Sequence, residues 1–288
     1  KAHADKRMDV ELELLQWLPK LDNLQVAWLI LYFCAVPRAN HLLRLLPPSL
    51  SQTYARKHDD AILQCCAELL KTGEFRQTSR SVASLRGSLG GLGLRSAERT
   101  APAAFWAAWA DALPMLLERL PQYAAGWAQA LTTAQTHEKN AQHLLALSSG
   151  LREAEEARRL LVKEGYADCP TWLEISNKRR PPEVPISERE PGEWSHGWQF
   201  YASRVRELRF LEFSLRPNLP PSRQAMLLSQ GGMHAARFLQ AIPTAPQLRL
   251  KNEYLQCLLR RRLRLPMVDG PVYCSAQSHK LMQLDFFW

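Results

Sequence analysis

A mainly α-helical chain is predicted by three observations. Apolar residues recur at spacings of three and four along most of the sequence, the period of a helix with one buried face. Hydrophobic residues make up 46% of 288, enough for a sizeable core. A Pro- and charge-rich stretch, residues 176–195, parts the periodic segments. The expected architecture is an irregular multi-helix assembly in two helical parts joined by that linker.

The elements follow in order. Leu24, Ala27, Trp28, Leu31 and Ala35 share one helical face, and Pro37 should bend or restart that helix because it has no N–H to donate. Ser51 to Leu70 reads as a helix closed by Gly73. Gly87-Ser88-Leu89-Gly90-Gly91-Leu92-Gly93-Leu94 reads as a tight turn. Pro102 then stands near the first turn of a helix whose stripe is Trp106, Trp109, Leu113, Leu116 and Leu120. Pro114 predicts a kink or restart within it, and Trp127 and Leu131 continue the pattern beyond Pro121.

Residues 137–163 read as one long helix, with Leu144, Leu147, Leu151, Ala154 and Leu161 buried and the pair Glu155–Arg159 on the wet side. Beyond the linker, His196 to Leu215 and Pro221 to Ser229 read as helices. Gly231-Gly232 then precedes a short helix from His234 to Ala241. Thr244 as N-cap and Pro246 open a last helix running to about Leu265, with Arg249, Arg260 and Arg264 on one face. Met267 to Trp288 has no clear period.

Composition excludes several classes. Val26 to Val36, the longest apolar stretch, contains Tyr32 and ends at Pro37-Arg38, short of the roughly 18 residues of a membrane span. The first residues, Lys1 to Arg7, are charged and carry no apolar h-region, so they do not read as a secretory signal, and no membrane partner is expected. Cys34, Cys65, Cys66, Cys169, Cys257 and Cys274 show no C-x-x-C spacing, which argues against a disulfide framework or a four-cysteine zinc site. A reducing intracellular compartment is the expectation. Lys178-Arg179-Arg180 has the composition of a nuclear-localisation element, and equally that of a basic linker.

The net charge of +9 is unevenly placed. Residues 1–195 carry 24 basic and 23 acidic side chains; residues 196–288 carry 13 and 5. An excess of that kind suits an anionic partner. Its densest part is Arg260-Arg261-Arg262-Leu263-Arg264, whose guanidinium groups fork onto phosphate oxygens; the other reading is a basic helix end answering its own dipole. Arg249, Lys251, Arg260, Arg261, Arg262 and Arg264 are the candidate contacts to an RNA or DNA backbone.

No catalytic centre is read from the chain. Asp59-Asp60 is an acidic pair, but Tyr54, Ile62 and Leu63 around it read as helix rather than the apolar hairpin a metal-binding dyad needs. His137 and His143 are six apart, not the i,i+4 of a helical metal site. The Gly87 to Gly93 run lacks the Lys-Ser/Thr of a P-loop. No cofactor or metal is expected. Trp106 and Trp109 read as core, with partner-docking anchors as the other reading.

Several motifs stand in a fixed order. Ala35-Val36-Pro37-Arg38-Ala39-Asn40-His41-Leu42-Leu43-Arg44-Leu45-Leu46-Pro47-Pro48 precedes His58-Asp59. Gly90-Gly91-Leu92-Gly93-Leu94-Arg95-Ser96-Ala97 and Pro102-Ala103-Ala104-Phe105-Trp106-Ala107-Ala108-Trp109-Ala110-Asp111-Ala112-Leu113-Pro114 follow. Ser229-Gln230-Gly231-Gly232-Met233-His234-Ala235-Ala236 and Ala241-Ile242-Pro243-Thr244-Ala245 come later. In this order, over roughly residues 20–266, the chain resembles the region downstream of the polymerase domain in non-LTR (LINE-like) retroelement reverse transcriptases, nearest to the copies found in protists such as dinoflagellates.

The resemblance implies thumb-like helices over 1–72, a Gly-rich turn plus helical bundle over 73–175, the linker 176–195, a basic helical region over 196–266 and a divergent tail over 267–288. It implies a non-catalytic fragment whose partners are nucleic-acid backbone and, if the chain is part of a longer one, an upstream polymerase domain. Departures are present too. The aromatic-x-Asp-Asp polymerase motif is not in this sequence, Met233 stands where the family tends to have Pro, and Met267 to Trp288 offers only Cys274 and His279 where the family is Cys/His-rich. A helical protein-interaction module, or a non-functional retroelement remnant, is the alternative. The sequence leaves the oligomeric state open.

Overall fold

The computed structural model describes residues 2–137, 141–190 and 193–215. The described elements are helices and turns, so the chain is mainly α, as its periodicity predicts. Helix α1 is Ala2–Trp17, followed by a 3₁₀ turn over Leu18–Lys20. Helix α2, Leu24–Ile30, is capped by Asn23, whose side-chain oxygen accepts from the N–H groups of Gln25 and Val26 at 3.0 and 3.2 Å.

The chain does not break at Pro37. It passes from α2 through a π turn, Leu31–Ala35, and a 3₁₀ turn, Val36–Arg38, into α3, Ala39–Leu45. The Val36 N–H reaches back five residues to Leu31 O. A wide turn followed by a tight one re-registers the ladder around the missing proline N–H, so the helical run continues. The joined run, Leu24–Leu45, is by length and composition apolar enough to cross a bilayer, which the apolar stretch ending at Val36 is not. Half of it is buried inside the fold, with Trp28, Leu31, Leu42 and Leu43 in the core.

Helices α4 (Pro48–Leu69), α5 (Gln77–Ala83), α6 (Ala97–Arg119) and α7 (Pro121–Thr136) follow. Pro114 lies inside α6, which runs on to Arg119 without a restart. The single helix expected over 137–163 is instead two, α8 (Ala141–Leu145) and α9 (Ser149–Lys163). Ser148 is extended, with ψ at 156°, and Ser149-Gly150 follow it; serine competes for its own backbone and glycine is costly in a helix interior. Helix α10 is Trp172–Ser176, opened by a capping box between Thr171 and Glu174. Helix α11, Gln199–Phe210, ends in a π turn, Leu211–Leu215.

Two apolar cores share α6. The first gathers α1 to α5 around Trp28, Tyr54 and Leu70, with Leu211 and Leu215 closing it. The second gathers α7, α9, α10 and α11 around Trp106, Trp172 and Trp198. Helix α6 presents Ala101 and Ala104 to one core and Ala103, Ala107 and Ala110 to the other. Small side chains on both faces let neighbouring helices approach closely, since interaxial distance follows side-chain size.

The Gly87–Leu94 segment is the predicted turn. Gly90 and Gly93 have φ of 85° and 76°, where only glycine is unstrained. A Cβ on Gly93 would stand 2.3 Å from the Tyr32 ring, and one on Gly91 would stand 1.9 Å from Leu85 O. The backbone therefore passes over both through an absence of side chains. Gly91→Ala is expected to cost about 3 kcal/mol, the upper range for forced overpacking. Gly126→Ala, in the middle of α7 with nothing within 4 Å, is expected to gain about 0.5 kcal/mol. Urea midpoints should move in opposite directions for the two variants.

Candidate functional site

Charge inside the described fold is arranged around a few buried carboxylates. Glu207 on α11 accepts from the Arg86 backbone N–H at 2.6 Å and from Arg95 Nη1 at 3.3 Å, and the Arg86 side chain lies 3.7 Å away. Arg95 also faces Glu193 at 3.4 Å and Glu190 at 3.7 Å. Burial alone would lower the Arg95 pKa; Glu207, Glu193 and Glu190 outweigh it and hold the guanidinium above its ordinary value. Glu190 in turn accepts from the N–H groups of Gly87 and Ser88 at 2.9 and 3.0 Å. Burial raises its pKa, but the Ser88 and Gly87 donors and Arg95 prevail, and the net direction is down.

The stretch predicted as a linker is therefore, over its described residues, a strap. Glu188 and Glu193 hold Arg204 of α11 at 3.1 and 3.2 Å, while Glu190 binds the glycine turn. Its charges look like solvated linker residues in the sequence because their partners lie in other segments. Helix α11 packs along α6, so the described residues beyond 195 do not stand apart from those before it. At the start of α11, Gly197 (φ 62°) brings the backbone against Asp111, which accepts from the Trp198 N–H at 3.2 Å and from Arg44 at 2.9 Å.

Glu155 is likewise not on the wet side. It is fully buried, accepting from Arg158 Nε and Arg159 Nε at 2.8 Å each and from the Trp172 indole at 2.7 Å. The i,i+4 spacing finds the Arg159 pair correctly; α10 then covers it. Lys178 and Arg179, of the basic triplet, face Glu118 at 3.3 Å and Glu174 at 2.6 Å, both exposed pairs.

The acidic pair is split between two tasks. Asp59 accepts from Ser96 Oγ at 2.7 Å and from the N–H groups of Ala97 and Glu98 at 2.6 and 3.2 Å, sitting on the positive end of α6. Asp60 pairs with Arg80. His58 is buried, its Nδ1 at 2.9 Å from Glu11, which also accepts from Tyr54 and Arg7. His137 and His143, six apart in sequence, are brought together where α7 ends, with their rings stacked at 4.5 Å. No group of three or more histidine, cysteine or acidic side chains suited to a metal occurs among the described residues. Trp106 is fully buried, which removes it as a docking anchor; Trp109 is half-buried, edge-on to Trp127.

A groove of about 550 Å³ opens between α4, α5, α6 and α11. Arg56, Arg80, Arg99 and Arg206 line it, together with Asp59, Asp60, Leu63 and Phe210. No local spacing announces it, because these arginines come from four helices, with Arg95 from the turn before α6. The nearest sequence signal is Ser96, an N-cap residue before the Ala-rich run, which places Asp59 and Arg99 at one helix start.

The predicted contacts Arg249, Lys251, Arg260, Arg261, Arg262 and Arg264 lie outside the described residues, as do the motifs at 229–236 and 241–245 and the tail 267–288. No protein-family model, curated protein or solved structure matches the chain.

The Glu11 cluster sets an acid limit. Burial raises the Glu11 pKa, but the His58 hydrogen bond and charge, with Tyr54 and Arg7, bring it below its usual 4.5. A carboxylate with a depressed folded pKa contributes stability that is present above the unfolded value and lost as pH falls through the folded one. Unfolding free energy is therefore expected to drop as pH falls below 4.5. Glu11→Gln should be less stable at neutral pH by about 3 kcal/mol, since it breaks a buried pair, and should lose less than wild type on acidification. Urea titrations at several pH values check both.

Proposed function

We propose that the chain is a non-catalytic helical part of a non-LTR retroelement reverse transcriptase that contacts nucleic-acid backbone through its basic C-terminal third. The supporting observation is where the net charge lies. Arg44, Arg86, Arg95, Arg158, Arg204 and Arg206 each face a carboxylate within the fold. Residues 1–215 sum to only +2, whereas residues 216–288 carry 10 basic and 3 acidic side chains, a net of +7. A segment with so large a net positive charge is one that a phosphate backbone can neutralise.

In this reading Arg260, Arg261, Arg262 and Arg264 are the main contacts, with Arg249 and Lys251 beside them. Binding is sequence-tolerant, because phosphate contacts carry no base information. The helices over residues 1–72 act as a thumb-like support to an upstream polymerase domain where the chain is part of a longer one. The protein needs no cofactor for this role.

A second reading, a helical protein-interaction module, is favoured by one feature. Val10, Trp17 and Leu21 repeat at near-helical spacing along α1 and the turn after it, and are 46%, 60% and 41% exposed.

Duplex binding measured against salt separates the two. Backbone contact predicts log K falling linearly with log salt, with a slope of about −0.9 per phosphate neutralised. Arg260→Gln, Arg261→Gln and Arg262→Gln should each flatten that slope by about one contact. No binding at low salt, or a salt-independent affinity, overturns the proposal. A stable oligomer in sedimentation with no duplex affinity favours the interaction module.

A further inference from the structure

The groove between α4, α5, α6 and α11 holds one cation that no carboxylate among the described residues pairs with. At its rim Arg56 faces Glu98 at 2.6 Å and Arg80 faces Asp60, and deeper in Arg206 faces Glu164 at 3.1 Å. Arg95 has its three glutamates, and Asp59 is held by the α6 N-terminus. Arg99 differs. Among the described residues no carboxylate lies within ion-pair distance of it. One of its nitrogens donates to Ser84 O at 2.9 Å and Ser84 Oγ at 3.1 Å, and its guanidinium lies 4.2 Å over the Phe210 ring. Burial lowers its pKa, and Glu207 and Asp59 counter that only from longer range.

A half-buried guanidinium without a carboxylate partner gains from an anion. The cavity, about 550 Å³, is of ligand size. The exposed pairs Arg56–Glu98 and Arg80–Asp60 contribute little, so both rim arginines are free to turn inward at small cost. Three guanidinium forks lining one groove suit an anion with three terminal oxygens better than a carboxylate with two. Leu63, Leu94 and Phe210 supply an apolar wall beside them.

We propose that this groove binds a phosphate monoester, its phosphate on Arg99 with Arg56 and Arg80 closing over it and its organic part against Leu63, Leu94 and Phe210. The site uses none of the residues proposed to contact a duplex, Arg249 to Arg264. The source of the ester is either a small solute or the phosphorylated end of a nucleic-acid strand.

Calorimetric titration of the full chain with phenyl phosphate, inorganic phosphate and phenol tests it. Phenyl phosphate is expected to bind saturably, inorganic phosphate more weakly and phenol not at all. Arg99→Gln should weaken phenyl phosphate by about tenfold or more, the loss of one charge-assisted contact. The triple variant Arg260→Gln, Arg261→Gln, Arg262→Gln should leave it unchanged, which separates this site from the duplex-binding reading. Competition by a 5′-phosphorylated but not a 5′-hydroxyl oligonucleotide supports the groove and identifies a strand end; competition by neither, with phenyl phosphate still bound, supports it and identifies a small solute. Absence of saturable binding overturns the proposal. So does unchanged binding in a folded Arg99→Gln or, should that variant unfold, in Arg56→Gln with Arg80→Gln.

Discussion

The buried pairing of Glu207 with Arg95 is the contact on which the rest of the described fold depends. It lies where three separate segments meet: the glycine turn after α5, the strap residues Glu190 and Glu193, and α11. Taking these charges out of water is costly, and their mutual attraction offsets that cost only with good geometry and a full set of partners. Glu207 has the Arg86 N–H as well as Arg95, and Glu190 has two backbone donors as well as Arg95. Removing one member leaves an uncompensated buried charge, an effect of about 3–5 kcal/mol in comparable pairs. The apolar contacts follow from this arrangement. With α11 held, Leu211 and Leu215 close the first core, and Trp198 and Ala202 complete the second. The close passage of Gly93 over Tyr32 belongs to the same junction, because Tyr32, whose pKa burial pushes up to about 12, lies beside Glu190 and Arg95.

That economy of charge bears on function. A fold that pairs its arginines with its own carboxylates has little positive field left to attract an anion. The excess of residues 216–288 is then a distinct property of the C-terminal part rather than a share of a uniformly basic surface. Among the arginines that line the groove, Arg99 is the one with no carboxylate at ion-pair distance among the described residues, and Asp59 beside it is committed to Ser96, Ala97 and Glu98. The two proposed anion sites therefore rest on different observations, one on the charge of a long segment and the other on one unanswered guanidinium.

Helix content and the main apolar stripes were legible from period alone. Trp106, Leu113, Leu147, Leu151 and Leu161 are buried where spacing puts them, and Gly90 and Gly93 adopt the positive φ their turn suggests. Three features were not legible, each for a stated physical reason. Pro37 reads as a break, but a π turn and a 3₁₀ turn absorb it, and nothing in the local sequence reports the change in ladder. Glu155 reads as exposed because i,i+4 pairing with Arg159 is the mark of a wet face; the indole of Trp172 that covers it comes from another helix. Residues 176–195 read as a linker because proline and mixed charge make one, whereas Glu188, Glu190 and Glu193 have partners at 87–95 and 204. Local pattern reports which face of a helix is apolar. It does not report which distant cation a carboxylate will meet.

The most direct test of the functional account is to photo-crosslink the full chain to a duplex with 5′-hydroxyl ends carrying halogenated thymine analogues, and to map the joined peptides by mass. The account predicts crosslinks concentrated in residues 249–264, lost at high salt because phosphate contact is screened. Crosslinks confined to α1 through α11, with residues 249–264 clear, would contradict it.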